Sequence, residues 1–258
     1  ISQFCQRYKT VYVVEELEPF LEEQIKAHGL NVIGKEIFPR AGELSSELVK
    51  ECIEKKSKHK WEPIDLPARP PVMCAGCPHR ALFSVLKKQR TIVSGDIGCY
   101  TLSALPPLST MDTCLCMGAS IGLAQGLARS VENSENKPVV SVLGDSTFIH
   151  SGIPGLVNAV YNNANITVII LDNRTTAMTG HQDNPRSGKT LSGKHVDPFD
   201  FAAVAKAIGV KFVRSVDPID TQTTQKIVKA AIAFDGPAVV IVTRPCVLIE
   251  RKQFAGFM

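Results

Sequence analysis

The chain has 258 residues, of which 44% are hydrophobic and 21% charged, and its formal net charge is +4. This composition is typical of a globular protein. The mild charge does not predict nucleic-acid binding, since the basic run KKSKHK at 55–60 is interpreted as a solvated helix end. No apolar run is long enough to cross a bilayer and no signal peptide begins the chain, so we expect a soluble cytoplasmic protein.

The cysteines indicate chemistry rather than a disulfide framework, which is typical of short secreted chains. Paired thiols at C-x-x-C spacing favour metal, cluster or redox chemistry, and their number does not choose among these. The eight cysteines lie at positions 5, 52, 74, 77, 99, 114, 116 and 246.

Residues 1–60 predict the end of a preceding α/β domain, too short for an independent core. Residues 9–40 have the pattern strand, helix, short strand, and the helix should stop near Gly29. A second helix is predicted in SSELVKECIEKK at 45–56. Four closely spaced prolines then predict an extended linker over 61–71.

Residues 72–258 alternate apolar strands with amphipathic helices, which predicts an α/β domain with a doubly wound, mostly parallel sheet. Continuous β-branched runs suit strands that are buried on both faces. Strands are predicted at 91–96, 138–145, 166–173, 210–216 and 238–244, and helices near 78–89, 117–130, 151–163, 198–208 and 218–234. Ligands bind beyond the carboxyl ends of such strands, where GD at 144–145 and DN at 172–173 lie.

Asp145 has two interpretations. It is either a helix N-cap or a ligand that holds a cation. Asn173 ends the next strand, and the Thr175 carbonyl follows it. A carboxylate, an amide oxygen and a carbonyl oxygen would then lie close together, and Mg²⁺ prefers such hard oxygen ligands. The helix beginning at Ser146 and Thr147 would add backbone donors for the phosphates that share the metal.

The segments GDSTF and ILDN resemble the diphosphate–magnesium motif of thiamine-diphosphate enzymes. DNRTTAMTGHQDNP at 172–185 resembles a segment of the 2-oxoacid:ferredoxin oxidoreductases. With CAGCPHRALF, SGDIGCYTL and MGASIGLAQGLA, the chain resembles the large (alpha) subunit of the indolepyruvate:ferredoxin oxidoreductases over about residues 10–250. The resemblance implies a thiamine-diphosphate-binding fold, with Mg²⁺ held by Asp145, Asn173 and Thr175.

The C-x-x-C of Cys74 and Cys77 is by itself compatible with a zinc half-site, a redox dithiol or buried small hydrophobes. The resemblance instead implies a 4Fe–4S cluster on four thiolates. The implied ligands are Cys74, Cys77, Cys99 and Cys246. Cys5 and Cys52 are interpreted as structural, and Cys114 and Cys116 as core packing at a helix start.

The resemblance also assigns cofactor contacts. Met117 would prop the cofactor in its bent, reactive conformation and is a candidate catalytic residue. Gly118, Gly122 and Gly126 form one helix face without side chains, which predicts a close approach of sheet or cofactor. The other implied contacts are Gly98, Tyr100, Gly144, Ser146, Thr147 and Met178.

The histidines are less informative than the cysteines. His150 and His181 flank the diphosphate motif and either donate to phosphate, position substrate or are structural. His181 is carried forward as a second candidate catalytic residue. His79 follows the C-x-x-C and either approaches the cluster or merely begins a helix.

The resemblance implies oxidative decarboxylation of 2-oxoacids, with arylpyruvates such as indolepyruvate as substrates, to acyl-coenzyme A, and electrons that leave through the cluster to ferredoxin. The implied partners are a pyrimidine-binding domain or subunit that supplies the activating glutamate, a smaller gamma- or beta-type subunit, ferredoxin and coenzyme A, in a hetero-oligomer. Because neither that glutamate nor the family's ferredoxin-like module is expected in this chain, we predict a fragment or a split subunit, inactive alone. The alternatives are a non-oxidative thiamine-diphosphate decarboxylase subunit and a non-catalytic zinc-binding or scaffold module.

Overall fold

A computed structural model describes residues 1–55, 67–131 and 137–250 of the chain. Its compact units are Ile1–Ala68 and Arg69–Met258. The basic run at 56–60 and the first part of the proposed linker, 61–66, lie outside the described residues. Among the helices that are described, none has the length and apolar character needed to cross a membrane.

The first unit contains the helices α1 (Ser2–Arg7), α2 (Phe20–Ala27) and α3 (Ser46–Glu54). The helix stop is as predicted, since Gly29 follows α2 with a left-handed φ of 74°. The prediction of two strands around α2 is wrong. Their segments form one isolated parallel bridge, Tyr12 to Ile33, and a single bridged pair without further strands beside it does not extend into a sheet.

The second unit is built on one parallel sheet, so the predicted doubly wound α/β fold is confirmed. Within the described residues the spatial order of its strands is β2-β1-β3-β4-β6-β5, and every neighbouring pair is parallel. The strands are β1 (Ile92–Gly95), β2 (Thr113–Cys114), β3 (Val139–Gly144), β4 (Thr167–Asp172), β5 (Phe212–Val216) and β6 (Ala238–Thr243). The prediction missed β2, because two residues are too few to show a periodic pattern.

Helices cover both faces of this sheet. Side chains along β3 alternate between two apolar clusters, Val140 and Val142 joining one, and Val139 and Leu143 the other. The first cluster packs under α4 and α9, and the second under α5, α7 and α8. These helices are α4 (Pro78–Gln89), α5 (Ala119–Val131), α6 (Asp145–Thr147), α7 (Ile153–Tyr161), α8 (Phe201–Ile208) and α9 (Thr221–Ile232).

The helix after β3 begins at Asp145, one residue before the start expected at Ser146 and Thr147 and well before the helical pattern predicted near 151–163, which corrects that second boundary. Gly144 ends β3 and is also the N-cap of α6. A π-helical turn, Phe148–Gly152, joins α6 to α7. Strand therefore passes into helix without a loop, and Asp145 lies at the carboxyl edge of the sheet.

Candidate functional site

Three strand ends meet around a small cavity at the carboxyl edge of the sheet. The turn after β1, the start of α6 and the loop after β4 line it, and its volume is about 90 Å³. Ten residues with predicted thiamine-diphosphate or Mg²⁺ roles line this cavity: Gly98, Tyr100, Met117, Gly144, Asp145, Ser146, Thr147, Asn173, Thr175 and Met178. We call it the cofactor cavity.

Asp145 is 2% exposed and is the first helical residue, so the N-cap interpretation is wrong. Its Oδ1 accepts from the Ser146 backbone at 2.6 Å and from Asn184 Nδ2 at 3.4 Å. Within the described residues, its Oδ2 has no hydrogen-bond partner. Burial raises the pKa of the carboxyl to about 7, and the nearby charge of Asp172 also raises it. A buried carboxylate oxygen without a partner fits a bound cation.

Asn173 and Thr175 complete the oxygen-rich side of the cofactor cavity. The Asn173 Oδ1 accepts from the Thr175 backbone at 3.3 Å. The backbone N–H of Thr175 lies close enough to Asp145 to lower the pKa of its carboxyl, so the segments after β3 and β4 are in contact. Carboxylate and amide oxygens on one cavity are the donors that Mg²⁺ prefers, so the residues present fit this ion.

A buried network around Asp96 supports the other side of the cofactor cavity. Asp96 is fully buried and accepts from the Tyr100 hydroxyl, from the Gly118 backbone at 3.0 Å and from Ser120 Oγ at 3.1 Å. The Tyr100 hydroxyl in turn accepts from the Gly144 backbone at 3.0 Å. One carboxylate therefore ties together the turn after β1, the start of α5 and the end of β3. This joining role of Asp96 was not predicted from the sequence, although an acid directly after a buried strand is a usable signal.

Close packing explains two of the glycines here. A Cβ on Gly98 would collide with the Tyr100 ring, and one on Gly118, whose φ is +87°, would lie 2.5 Å from Ser151 Cβ. The expected close approach of the sheet does not extend along the whole glycine face. Among the described residues, a Cβ at Gly122 or Gly126 would meet no atom within 4 Å apart from its chain neighbours and the backbone of its own helix. Met117 lines the cofactor cavity and is 44% exposed, whereas its neighbour Gly118 does not line that cavity.

A second cavity, of about 290 Å³, brings together four cysteines from distant parts of the chain. We call it the cysteine cavity, and its thiols are those of Cys74, Cys77, Cys99 and Cys246. Burial raises the pKa of the Cys77 and Cys99 thiols, and the neighbouring cavity thiols raise both further.

The four thiols line one mostly apolar cavity. In the part of the chain that the structure describes, no three His, Cys, Asp or Glu side chains are already arranged to hold a single metal ion. Four thiolates are the usual ligand complement of a 4Fe–4S cluster, in which each iron takes one thiolate. The residues that line the cavity therefore fit a four-iron cluster.

The two cavities share a wall. Five residues line both of them: His79, Cys99, Asn173, Ala177 and Met178. His79 is fully buried there, and burial lowers its pKa to about 4, so its ring is neutral. An occupant of one cavity would thus be separated from an occupant of the other by single side chains.

The remaining predicted residues lie elsewhere. His181 lines the cysteine cavity and not the cofactor cavity, with its Nε2 3.8 Å from Cys246 Sγ. His150 is exposed on the π-helical turn and lines neither cavity. Cys114 and Cys116 are exposed, so their interpretation as core packing is wrong. Cys5 and Cys52 are half-buried in the first unit.

A larger cavity of about 500 Å³ lies at the opposite edge of the sheet, beside the first residues of β3 and β4. Its lining includes Arg129, Lys137 and Asp235. Parallel sheets bind ligands at the carboxyl ends of their strands, where helices begin and present free N–H groups. Chemistry and position, rather than size, therefore assign the site to the two adjoining cavities.

Comparison with known proteins agrees with this site. The family model "Thiamine pyrophosphate enzyme, C-terminal TPP binding domain" matches residues 96–242. This range contains the turn after β1, the ends of β3 and β4, and every residue of the cofactor cavity except His79. The chain belongs to this family of thiamine-diphosphate enzymes.

More particular similarity is to curated archaeal proteins. The chain is 40% identical over 98% of its length to the "Indolepyruvate oxidoreductase subunit IorA" of Pyrococcus abyssi and 39% identical over 98% to that of Thermococcus kodakarensis. It spans 44% of each of these relatives. The solved 2-oxoglutarate:ferredoxin oxidoreductase of Magnetococcus marinus shares the fold, with a TM-score of 0.60 at 19% identity over 70% of this chain and 66% of that one.

Proposed function

We propose that this chain is the diphosphate-binding part of a 2-oxoacid:ferredoxin oxidoreductase. The enzyme would oxidatively decarboxylate arylpyruvates such as indolepyruvate to acyl-coenzyme A. The observation that carries the proposal is the pair of adjoining cavities, one with hard oxygen donors at a helix start and one with four thiols. A decarboxylase that releases electrons singly needs both kinds of site side by side.

In the cofactor cavity, Asp145, Asn173 and Thr175 would hold Mg²⁺, and the N–H groups at the start of α6 would face the diphosphate. Bound thiamine diphosphate supplies an electron sink for the carbanion left by decarboxylation. Met117 would support the bent cofactor from its exposed position on the cavity. The Gly118 backbone N–H donates a hydrogen bond to Asp96, which fixes the peptide directly after Met117.

In the cysteine cavity, Cys74, Cys77, Cys99 and Cys246 would bind a 4Fe–4S cluster, which takes up one electron at a time. The shared wall at Cys99, Ala177 and Met178 would keep water away while it leaves the two groups close. Electrons would then pass to ferredoxin.

The rest of the enzyme is supplied by other parts. A pyrimidine-binding domain or subunit would bring the activating glutamate, and a smaller gamma- or beta-type subunit, coenzyme A and ferredoxin complete the hetero-oligomer. The length of the relatives, of which this chain spans 44%, supports a requirement for further domains. A non-oxidative decarboxylase leaves the cysteine cavity unexplained, and a zinc module leaves the cofactor cavity unexplained.

The test is an anaerobic preparation of the full-length enzyme that contains this region, beside its Cys77→Ala variant. We expect the variant to lose about four irons per chain, together with part of the dithionite-bleachable absorption near 400 nm. Cys114→Ala, which removes an exposed thiol outside the cysteine cavity, should lose no iron. Equal iron in the Cys77→Ala and parent enzymes, or zinc in place of iron, would contradict the proposal.

A further inference from the structure

His181 lies where the proposed reaction gives it no task. Its Nε2 is 3.8 Å from the Sγ of Cys246, within reach of a hydrogen bond to sulfur, and both residues line the cysteine cavity. Both are half-buried. The imidazole therefore faces one of the four thiols and is not a cofactor contact.

A tight turn fixes the position of this imidazole. Thr176 and Gln182 exchange backbone hydrogen bonds of 3.0 and 3.2 Å, and Gln182 Nε2 donates to the Thr179 carbonyl at 2.7 Å. His181 itself has a φ of +64°, a left-handed conformation that favours glycine. A side chain here adds backbone strain, and strain of this kind is concentrated at functional positions.

The backbone of Cys246 is also held in place. The Cys246 N–H donates a hydrogen bond to the Asn173 carbonyl at 3.1 Å, which connects Cys246 to the loop after β4. The sulfurs of Cys77 and Cys99 accept hydrogen bonds from backbone N–H groups, which side-chain replacements other than proline leave in place. Cys246 instead meets a side chain, so its hydrogen bond can be deleted by a single replacement.

We propose that His181 Nε2–H donates a hydrogen bond to the Cys246 sulfur and raises the reduction potential of the cluster in the cysteine cavity. The inference rests on the proposed function, because it requires that cluster. A cluster-bound cysteine is a thiolate without a proton, so the imidazole must be the donor. Reduction adds one electron to the cluster, and the N–H stabilises the added negative charge without any proton leaving the ring.

The experiment is a redox titration of the full-length enzyme with its partner subunits, followed by electron paramagnetic resonance. The signal of this cluster is identified as the component that disappears in Cys77→Ala. In His181→Phe, which keeps an aromatic ring but removes the N–H, we expect the equilibrium constant for one-electron reduction to fall roughly tenfold, about 59 mV to more negative potential. In His181→Gln, which keeps a donor near the position of Nε2, the potential should stay close to that of the parent.

The control is His195→Phe, the same replacement at an exposed histidine outside both cavities. It should leave the potential unchanged. An unshifted potential in His181→Phe would overturn the inference, as would equal shifts in the Phe and Gln variants, since the hydrogen bond would then not be the cause. If the parent has no signal that Cys77→Ala removes, the proposed cluster itself is wrong, and that result is distinct from an unshifted potential.

Discussion

The cofactor cavity and the cysteine cavity meet at Met178 but are built in different ways. The cofactor cavity consists of turns that directly follow β1, β3 and β4, so the sheet itself sets its geometry. The cysteine cavity collects Cys74, Cys77, Cys99 and Cys246 from segments that are far apart in the chain. The difference separates two demands: a charged diphosphate needs fixed backbone dipoles, whereas a cluster needs thiols in a mostly apolar enclosure.

The largest effect that would separate the cavities is expected for Asp145→Asn. We expect binding of thiamine diphosphate with Mg²⁺ to weaken by about 100-fold, the upper end of what a lost metal-site partner costs. Iron content should not change, because Asp145 lines only the cofactor cavity. Calorimetric titration of the full-length enzyme measures the affinity.

The same variant has an opposite effect on stability. The replacement removes a desolvated carboxylate whose Oδ2 has no partner, so without cofactor the melting temperature should be unchanged or higher. A large loss of stability without cofactor would mean that Asp145 is a structural residue.

Met117→Ala tests the exposed side of the cofactor cavity. We expect kcat to fall by about 10- to 100-fold, because a misplaced reacting group reacts slowly. The affinity for the cofactor should change little. Since Met117 is largely exposed, stability should be nearly unchanged. Steady-state kinetics and cofactor titration give the two values, and equal losses in kcat and affinity would contradict a propping role.

Tyr100→Phe tests the buried network that joins β1 to β3. The hydroxyl accepts from Gly144 and donates to Asp96, so its removal leaves buried groups without partners. We expect a loss of about 1–3 kcal/mol in the free energy of unfolding, measured by urea denaturation. A neutral result would mean that water replaces the hydroxyl and that the network is not closed.

The smallest effect separates two glycines of the same segment. Gly122→Ala in α5 meets no atom of the described residues within 4 Å and should raise helix stability by about 0.5–1 kcal/mol. Gly118→Ala should instead destabilise the protein, since its backbone φ is +87° and the added Cβ would lie 2.5 Å from Ser151 Cβ. Thermal melts of the two variants check the contrast, and equal melting temperatures would contradict it.

The sequence predicted the sheet well because β3, β4 and β6 are short apolar runs rich in β-branched residues. It also indicated Asp145 and Asn173, since both directly follow such runs, and the structure brings them to one cavity. It placed the helix start at Ser146 and Thr147, one residue after the observed start at Asp145, although the predicted helical spacing began only near 151. The position of His181 beside Cys246 could not be predicted, because it depends on a left-handed turn and on a contact between residues distant in sequence.

The most direct test of the account is reduction of the cluster by substrate. A 2-oxoacid is mixed anaerobically with the full-length enzyme and its Asp145→Asn variant, and reduced cluster is followed by electron paramagnetic resonance. The account predicts that the 2-oxoacid reduces the cluster of the parent but not that of the variant at limiting thiamine diphosphate, while dithionite reduces both. Equal reduction by the 2-oxoacid in both proteins would contradict the claim that the two cavities act together.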